Sequence, residues 1–335
     1  MSIRFGIIGC RHAHVTIFIE EMLALGHVCA GVYEKDDPSL AEQLAQKYNI
    51  PLVQSRDVFL DDSVTVIGSA AINSEKIEII EWCEQHGKHI MVDKPAVTDR
   101  DKLDRLEAVI RRGRIQVGML LTERYRPAVY TLKRAIEAGE LGQIASIMMR
   151  KPHRLNPSSR AAWHFSKEQN GGIVIDLFVH DFDLLRWLTG QEAVSVNTVV
   201  AKNELPEYPE FLDAASAQVV MSGGAIGMLY SDWHTPDKSW TWGDCRIFVN
   251  GTRGFAELRL SGDPSVSGAD ELYLRVTDSQ PLEQVELVQP DQSLTADFLS
   301  RIHGERGTLT HDDVLATSRL TIEADAGAEV LGMGK

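Results

Sequence analysis

The residues that could carry out acid–base chemistry lie in two short segments of the chain. Asp93-Lys94-Pro95 follows the apolar run His89–Val92, and ligands of open α/β sheets collect beyond the carboxyl ends of such strands. Proline disfavours the helical conformation in the residue before it, so Lys94 is expected in an extended turn that fixes its ammonium group. The alternative is an ordinary exposed loop lysine.

The second segment is a predicted helix that begins after Gly171-Gly172. Asp176 and His180 are four residues apart, so a helix places them on one face, and Asp183 extends this polar stripe by one turn. A carboxylate one turn from a histidine can orient the imidazole and raise its basicity, as a general base requires. The spacing alone also allows a structural Asp–His pair. The two glycines permit close approach of the backbone to a ligand.

A further motif lies where the first predicted strand should turn into its helix, in Gly6–His14. A dinucleotide pyrophosphate binds backbone N–H groups and a helix dipole at such a turn. A Gly-x-Gly-x-x-Gly count from Gly9 places Arg11 and His14 at the second and third glycine positions, so the fingerprint itself is weak. Its position favours a dinucleotide site over a generic turn.

The predicted cofactor contacts extend from this turn along neighbouring strand ends. Glu34 ends the second predicted strand, where a carboxylate can bind ribose hydroxyls and favour NAD over NADP, although the adjacent Lys35 weakens this preference. A metal site of Cys10, His12 and His14 is disfavoured because such spacing without a further cluster rarely binds metal, so no metal is expected. The predicted cofactor-binding residues are Gly9, Arg11, His12, His14, Glu34, Lys35, Ala71, Asn73, Asp93 and Lys94.

Two domains are expected, because 335 residues exceed what one hydrophobic core usually organises. Up to about Leu121, short apolar runs alternate with amphipathic stretches, which predicts a Rossmann-type, doubly wound parallel sheet. From about Val194 to Leu287, short strands with turn signals predict an α+β domain with a large, mostly antiparallel sheet. The predicted domains are residues 1–122, which bind the dinucleotide, and 123–335, which bind substrate and form oligomers.

Individual elements follow from hydrophobic periodicity and from glycine and proline signals. The predicted strands are Ile3–Gly9, Val28–Glu34, Val64–Ala70, His89–Val92, Ile115–Leu121 and Ile144–Arg150. The predicted helices include Ser39–Tyr48, Glu75–Gln85, Pro127–Ala138, Leu294–His303 and Asp312–Val330.

Composition excludes several classes of partner. The chain is 44% hydrophobic and 24% charged, without an apolar run long enough to cross a bilayer. The N-terminal sequence has no secretory signal pattern, so a soluble, cytoplasmic protein is expected. The net charge of −14 repels phosphodiester backbones and anionic membranes, so neither nucleic acid nor membrane is an expected partner. Cys10, Cys29, Cys83 and Cys245 lack metal-like spacing and are predicted to be free thiols.

These segments resemble, nearly end to end, the glucose-fructose oxidoreductase, inositol dehydrogenase and MocA (Gfo/Idh/MocA) family. The family's glycine turn, acidic residue after strand two, Glu-Lys-Pro signature and Asp-xxx-His helix match Gly9, Glu34, Asp93-Lys94-Pro95 and Gly171–His180. Further similarity lies at Arg124–Pro127 and Gly251–Gly254. The chain departs from the family at Arg11 and His14, which replace loop glycines, and at Ile72-Asn73 and Lys76, where the family often has Pro-Asn with a downstream histidine.

The resemblance implies reversible hydride transfer between nicotinamide C4 and a carbinol carbon of a sugar, cyclitol or related polyol. His180 would take the hydroxyl proton, Lys94 would stabilise negative charge on the oxygen, and Asp176 would orient the base and bind a neighbouring hydroxyl. A homodimer or homotetramer is expected. Two alternatives stay open: a redox-assisted glycosidase or lyase that retains NAD, and a non-catalytic, dinucleotide-sensing regulator.

Substrate specificity is expected to come from the loop Pro152–Asn170 and from residues near Trp233, because loops carry most binding residues. Two arginines in this loop would allow an acidic sugar, since guanidinium pairs well with carboxylate. The predicted substrate contacts are Arg154, Trp163, His164, Asp176 and Trp233, with His153, Arg160 and His234 as further candidates.

Overall fold

A computed structural model describes residues 2–266, 268 and 270–332, and these divide into two compact units. The first unit contains residues up to 121 together with two later segments, 168–171 and 292–319. The second unit contains the remaining described residues from 122 onward. Each unit has its own sheet.

The first unit is built on a parallel sheet whose strands lie in the order β2-β1-β3-β4-β5. Its strands are largely buried, as expected for parallel strands covered on both faces. The predicted doubly wound sheet is therefore confirmed. The elements are β1 (Arg4–Cys10), α1 (Val15–Ala24), β2 (Val28–Tyr33), α2 (Ser39–Tyr48), β3 (Val64–Ala70), α3 (Lys76–Gln85), β4 (His89–Val92), α4 (Arg100–Arg112) and β5 (Val117–Met119).

The second unit is built on a mixed, mostly antiparallel sheet, as predicted. Its strands lie in the order β13-β12-β11-β10-β6-β9-β8-β7-β14, and the parallel pairs are β6 with β9 and β7 with β14. Its elements in chain order are α5 (Pro127–Glu137), β6 (Ile144–Arg150), α7 (Ile173–Thr189), β7 (Ala193–Ala201), β8 (Ala214–Met221), β9 (Ile226–Asp232), β10 (Arg246–Gly251), β11 (Gly254–Arg259), β12 (Leu272–Thr277), β13 (Glu283–Gln284) and β14 (Glu329–Leu331). Helix α8 (Leu294–Ile302) belongs to the first unit, and α6 (Lys167–Asn170) and α9 (His311–Ala326) have residues in both units.

Most predicted elements agree with the structure to within two residues, but the last helix is wrong at its end. The prediction continued the helix to Val330, whereas α9 ends at Ala326 and the chain then forms β14. Residues of β14 pair in parallel with Val199–Ala201 of β7, so sheet pairing rather than local helical periodicity decides this segment. No helix in the described part of the chain is long and apolar enough to cross a membrane.

Helix α7 carries two of the predicted catalytic residues and is buried over most of its surface. Gly172 at its N-terminus has a φ of +86°, a conformation that favours glycine. Asp183 on this helix forms a buried ion pair with Arg124, with a distance of 2.8 Å from Nε to Oδ2. Since breaking a buried ion pair is strongly destabilising, this contact fixes α7 within the second unit.

Candidate active site

The glycine turn after β1 packs closely against the end of β3. Gly9 has a φ of +82°, and a Cβ placed there would lie 2.5 Å from the Cβ of Ala71. The backbone N–H groups of Arg11 and His12 both donate to the carbonyl oxygen of Ala70, at 2.9 and 3.1 Å. The turn therefore has a fixed shape that only glycine permits at position 9. The N–H groups of Val15, Thr16 and Ile17 at the start of α1 donate to the carbonyl oxygens three residues earlier, and the helix dipole at this end favours an anion.

Glu34 lies beside this turn, as predicted. Its carboxylate accepts hydrogen bonds from the protein's own backbone. Its Oε2 accepts a hydrogen bond from the Cys10 N–H at 2.7 Å, and its Oε1 accepts one from the Asp36 N–H at 3.1 Å. The adjacent Lys35 forms an ion pair with Glu75, at 3.4 Å. Glu34, Lys35 and Glu75 border a cavity of about 490 Å³. Its lining residues are Ile8, Gly9, Tyr33, Glu34, Lys35, Arg56, Ala71, Glu75, Glu78 and Ile79.

Asp93, at the end of β4, binds both histidines of the glycine turn. Its Oδ2 lies 3.0 Å from Nδ1 of His12, and its Oδ1 lies 3.1 Å from Nδ1 of His14. Burial alone would raise the pKa of Asp93, but His14, Lys76 and the hydrogen bonds from both histidines hold this pKa well below its usual value. Burial lowers the pKa of His12, and His14 lowers it further. Asp93 is therefore a buried carboxylate that orders the loop after β1.

The side chains of His12, His14 and Asp93 also place possible metal-ligand atoms within 4.8 Å of one another. Local spacing along the sequence could not include Asp93 in this group, because it lies 79 residues from His14 along the chain. The surrounding charges favour an anion rather than a metal cation, since Lys76 acts electrostatically on Asp93 and Lys94 acts on His12. The absence of a metal stays a prediction.

Lys94 lies in a turn whose backbone is held by a second lysine. Lys94 is buried, and its peptide bond with Pro95 is cis. The ammonium group of Lys76, the first residue of α3, donates to the carbonyl oxygens of Asp93, Lys94 and Pro95 at 2.9, 3.2 and 3.1 Å. Oδ1 of Asn73 also lies 2.9 Å from Nζ, so the three hydrogens of the ammonium group are shared among these four oxygens. From the sequence, Lys76 was identified only as a departure from the family pattern. A positive charge at a helix N-terminus is electrostatically unfavourable, and this could have indicated that Lys76 has compensating contacts.

Asp176 and His180 lie one turn apart on α7 in the second unit, as predicted. Near them lies a buried charge network that the sequence did not predict. Lys151 forms ion pairs with Asp181 at 2.9 Å and with Glu123 at 3.4 Å. Burial alone would raise the pKa of Glu123, but Lys151, Arg126 and His180 lower this pKa to about 2. His180 thus lies within electrostatic range of a permanent negative charge.

The predicted substrate loop of the second unit contains stacked aromatic and cationic groups. The guanidinium of Arg160 lies 4.5 Å from the ring centre of Trp233, and the rings of Trp163 and His164 stack at 3.7 Å. Arg154 donates from Nη2 to the carbonyl oxygens of Ser239 and Thr241, so part of its hydrogen-bonding capacity holds a neighbouring loop. Substrate contact by Arg154, Trp163, His164 and Trp233 stays a prediction.

The structure therefore gathers the predicted residues in two groups. The predicted cofactor residues and Lys94 lie at or beside the carboxyl ends of strands in the first unit, where parallel α/β sheets bind ligands. Asp176 and His180 lie in the second unit, on α7. The joint action of Lys94 with these two residues stays a prediction.

Comparison with known proteins adds to this geometry. The family model described as the GFO/IDH/MocA C-terminal domain matches residues 129–257, which include the Asp-xxx-His helix. A solved structure from Erwinia carotovora atroseptica is 25% identical, with a TM-score of 0.90 over 99% of this chain and 100% of that chain. Over these residues the chain is similar to the C-terminal domain of the GFO/IDH/MocA family. Members of this family are oxidoreductases that use NAD(P).

Other relatives and solved structures are 18% to 28% identical to this chain. Myo-inositol dehydrogenase Hyg17 of Streptomyces leeuwenhoekii is 26% identical over 267 residues, which are 77% of this chain and 75% of that protein. Levoglucosan dehydrogenase of Pseudarthrobacter phenanthrenivorans is 28% identical over 198 residues, which are 58% of this chain and 50% of that enzyme. A solved levoglucosan dehydrogenase in complex with NADH is 18% identical and has a TM-score of 0.80 over 97% of both chains.

The close packing at the glycine turn is testable by comparing two glycines of similar backbone conformation. Gly26 has a φ of +80°, and a Cβ placed there would have no atom within 4 Å, so Gly26→Ala should cost only the conformational penalty of about 1–2 kcal/mol. Gly9→Ala should lower the free energy of unfolding by at least about 1 kcal/mol more, because it also overpacks against Ala71. Urea titration measures both, and equal losses would contradict the packing argument.

Proposed function

We propose that this protein is an NAD(P)-dependent dehydrogenase that acts on a carbinol group of a sugar, cyclitol or related polyol. The observation that carries the proposal is Lys94, buried at the carboxyl end of β4 in the same unit as the glycine turn of β1. The family supports nicotinamide use, and the names of the relatives, which include inositol, levoglucosan and D-xylose dehydrogenases, support a polyhydroxylated substrate.

The first unit fits the dinucleotide. The close packing of Gly9 on Ala71 fixes the turn that leads into α1, and the dipole at the N-terminus of α1 favours a pyrophosphate. Arg11 and His14 replace family glycines, and their cationic or hydrogen-bonding side chains can add to anion binding there. The cavity beside Glu34 has a volume of about 490 Å³ and suits the adenosine portion. Bound NAD(P) would supply the hydride acceptor or donor, which is the difficult part of the chemistry.

In this proposal, side chains of the protein transfer the hydroxyl proton and stabilise the charge on the substrate oxygen. His180 accepts the hydroxyl proton during oxidation and returns it during reduction, a role that suits a side chain whose usual pKa is near neutral. The ammonium of Lys94 stabilises negative charge that develops on the same oxygen. Asp176, one helical turn from His180, orients the base and binds a neighbouring hydroxyl. The negative charge of Glu123 supports this assignment, because it stabilises the protonated form of His180.

The charges around the cavity support NAD rather than NADP. The Glu34 carboxylate lines the cavity and would repel a 2′-phosphate. Lys35 is engaged with Asp36 and Glu75, at 3.5 and 3.4 Å, so its positive charge is partly neutralised. Both observations disfavour a second phosphate in this cavity.

Self-association is a further part of the proposal. Met148, Val220, Ile226 and Tyr230 are exposed on β6, β8 and β9, three adjacent strands of the second unit. The strand register places these four side chains on one face of the sheet. An exposed apolar sheet face supports a homo-oligomer, because such faces commonly form interfaces.

The proposed catalytic roles are tested by Lys94→Ala and His180→Ala, with NADH formation measured for myo-inositol, D-xylose and levoglucosan. Each change should lower kcat by at least about 100-fold, because it removes charge stabilisation or proton transfer. The dissociation constant for NADH should change less than about threefold in His180→Ala, because the proposed role of His180 does not concern cofactor affinity. Lys102→Ala and His86→Ala, at residues outside the proposed site, are the matched controls. Wild-type turnover in both test variants would show that the assignment is wrong.

The proposed cofactor preference is tested by titrating NADH and NADPH into the wild type and Glu34→Ala. The wild type should bind NADH at least about tenfold more tightly, and the variant should lose most of this preference because the repulsive carboxylate is gone. Glu78→Ala, which removes another carboxylate from the cavity wall, is the control for a general charge effect. A wild-type preference for NADPH would contradict the role of Glu34.

A further inference from the structure

The side chain of Lys76 has an unusual environment for a lysine. It is fully buried, with 0% of its surface exposed, although burying an ammonium group is costly unless the charge is well compensated. It is also the first residue of α3, where the helix dipole disfavours a positive charge. Burial and the helix dipole both disfavour a lysine at this position, so other interactions must compensate for them.

The compensation comes from one short turn. Three of the oxygens within hydrogen-bonding distance of Nζ are the consecutive carbonyls of Asp93, Lys94 and Pro95, at 2.9 to 3.2 Å. The fourth is Oδ1 of Asn73, at 2.9 Å, and the amide group of Asn73 donates to the carbonyl of Asn170 in the same unit. The negative charge of Asp93 also acts on this ammonium group. Lys76 thus concentrates its interactions on the turn that contains Lys94.

We infer that Lys76 is a positioning residue that fixes the backbone turn from which Lys94 acts. This inference rests on the proposed function. Three carbonyl groups held by one cation restrict the backbone dihedrals on both sides of Lys94. A fixed backbone limits where the Lys94 ammonium lies, and catalytic rates depend steeply on such placement. Lys76 contacts the backbone of Lys94 and not the reacting atoms, so it acts through Lys94.

The chain provides a matched control at the other end of β4. Lys88 immediately precedes this strand, is 5% exposed and donates to the carbonyl oxygen of Asp61 at 2.9 Å. It is therefore another buried lysine bound to a backbone carbonyl. Its contact lies away from Asp93-Lys94-Pro95. Lys88→Met removes a buried ammonium without releasing the turn.

The first experiment measures hydrogen exchange by mass spectrometry, on the full-length protein, in peptides that cover residues 93–97. Lys76→Met should increase exchange there by at least about tenfold, the effect of losing one charge-assisted hydrogen bond. Lys88→Met should leave these peptides unchanged. Lys76→Gln, which keeps one donor group, replaces Lys76→Met if the latter does not fold. Unchanged exchange in the turn, or an equal increase in Lys88→Met, would overturn the inference.

The second experiment is a double-mutant cycle of Lys76→Met with Lys94→Ala, using the member of the myo-inositol, D-xylose and levoglucosan panel that gives the highest rate. Lys76→Met alone should lower kcat by about 10- to 100-fold, with little change in the dissociation constant for NADH. Added to Lys94→Ala, it should cause less than about a threefold further loss, because both changes remove the same action.

The outcomes separate the inference from the proposed function. A multiplicative loss in the double variant, or a kcat for Lys76→Met equal to that of Lys88→Met, would overturn the positioning role of Lys76. Full activity of Lys94→Ala would instead contradict the proposed function and with it the catalytic purpose of the turn. In that case the exchange experiment alone decides whether Lys76 holds the turn.

Discussion

The contact between the ammonium group of Lys76 and the carbonyl oxygens of residues 93–95 organises the loops at the carboxyl end of the first unit's sheet. It fixes the turn after β4, and the side chain of Asp93 in that turn binds His12 and His14 in the turn after β1. The turn that contains Lys94 is therefore held by one buried cation, and the same turn supplies the carboxylate that binds the two histidines.

The balance of charge in this region explains why it suits a dinucleotide. Asp93 is buried and ionised, and Lys76, Lys94 and Arg11 lie on the same side of the sheet. The dipole at the N-terminus of α1 provides a favourable potential for a pyrophosphate near these side chains. The second unit has a comparable arrangement around α7, where Lys151, Asp181 and Glu123 form a buried network with Glu123 within electrostatic range of His180. In both units, a buried charged group lies close to a residue proposed for catalysis.

Local pattern was enough to predict the elements and many of the residues at the strand ends. Helix α2 and strand β6 were predicted with their observed bounds, because each has clear periodicity and definite ends. Contacts between distant segments could not be predicted. Lys76 binds carbonyls 17 to 19 residues away, Asp93 binds a histidine 79 residues away, and β14 exists only through its pairing with β7. The chemistry of Lys94 was thus visible in the sequence, but the groups that hold it were not.

The central claim is that the turn held by Lys76 presents Lys94 to a bound nicotinamide. A crystal structure of the protein with NADH tests this claim most directly. The account predicts the pyrophosphate at the turn after Gly9 and at the N-terminus of α1, with the nicotinamide ring in contact with Lys94 and with Lys76 still bound to the three carbonyls. NADH bound elsewhere on the protein, or a turn that has left Lys76 and points Lys94 away from the ring, would contradict it.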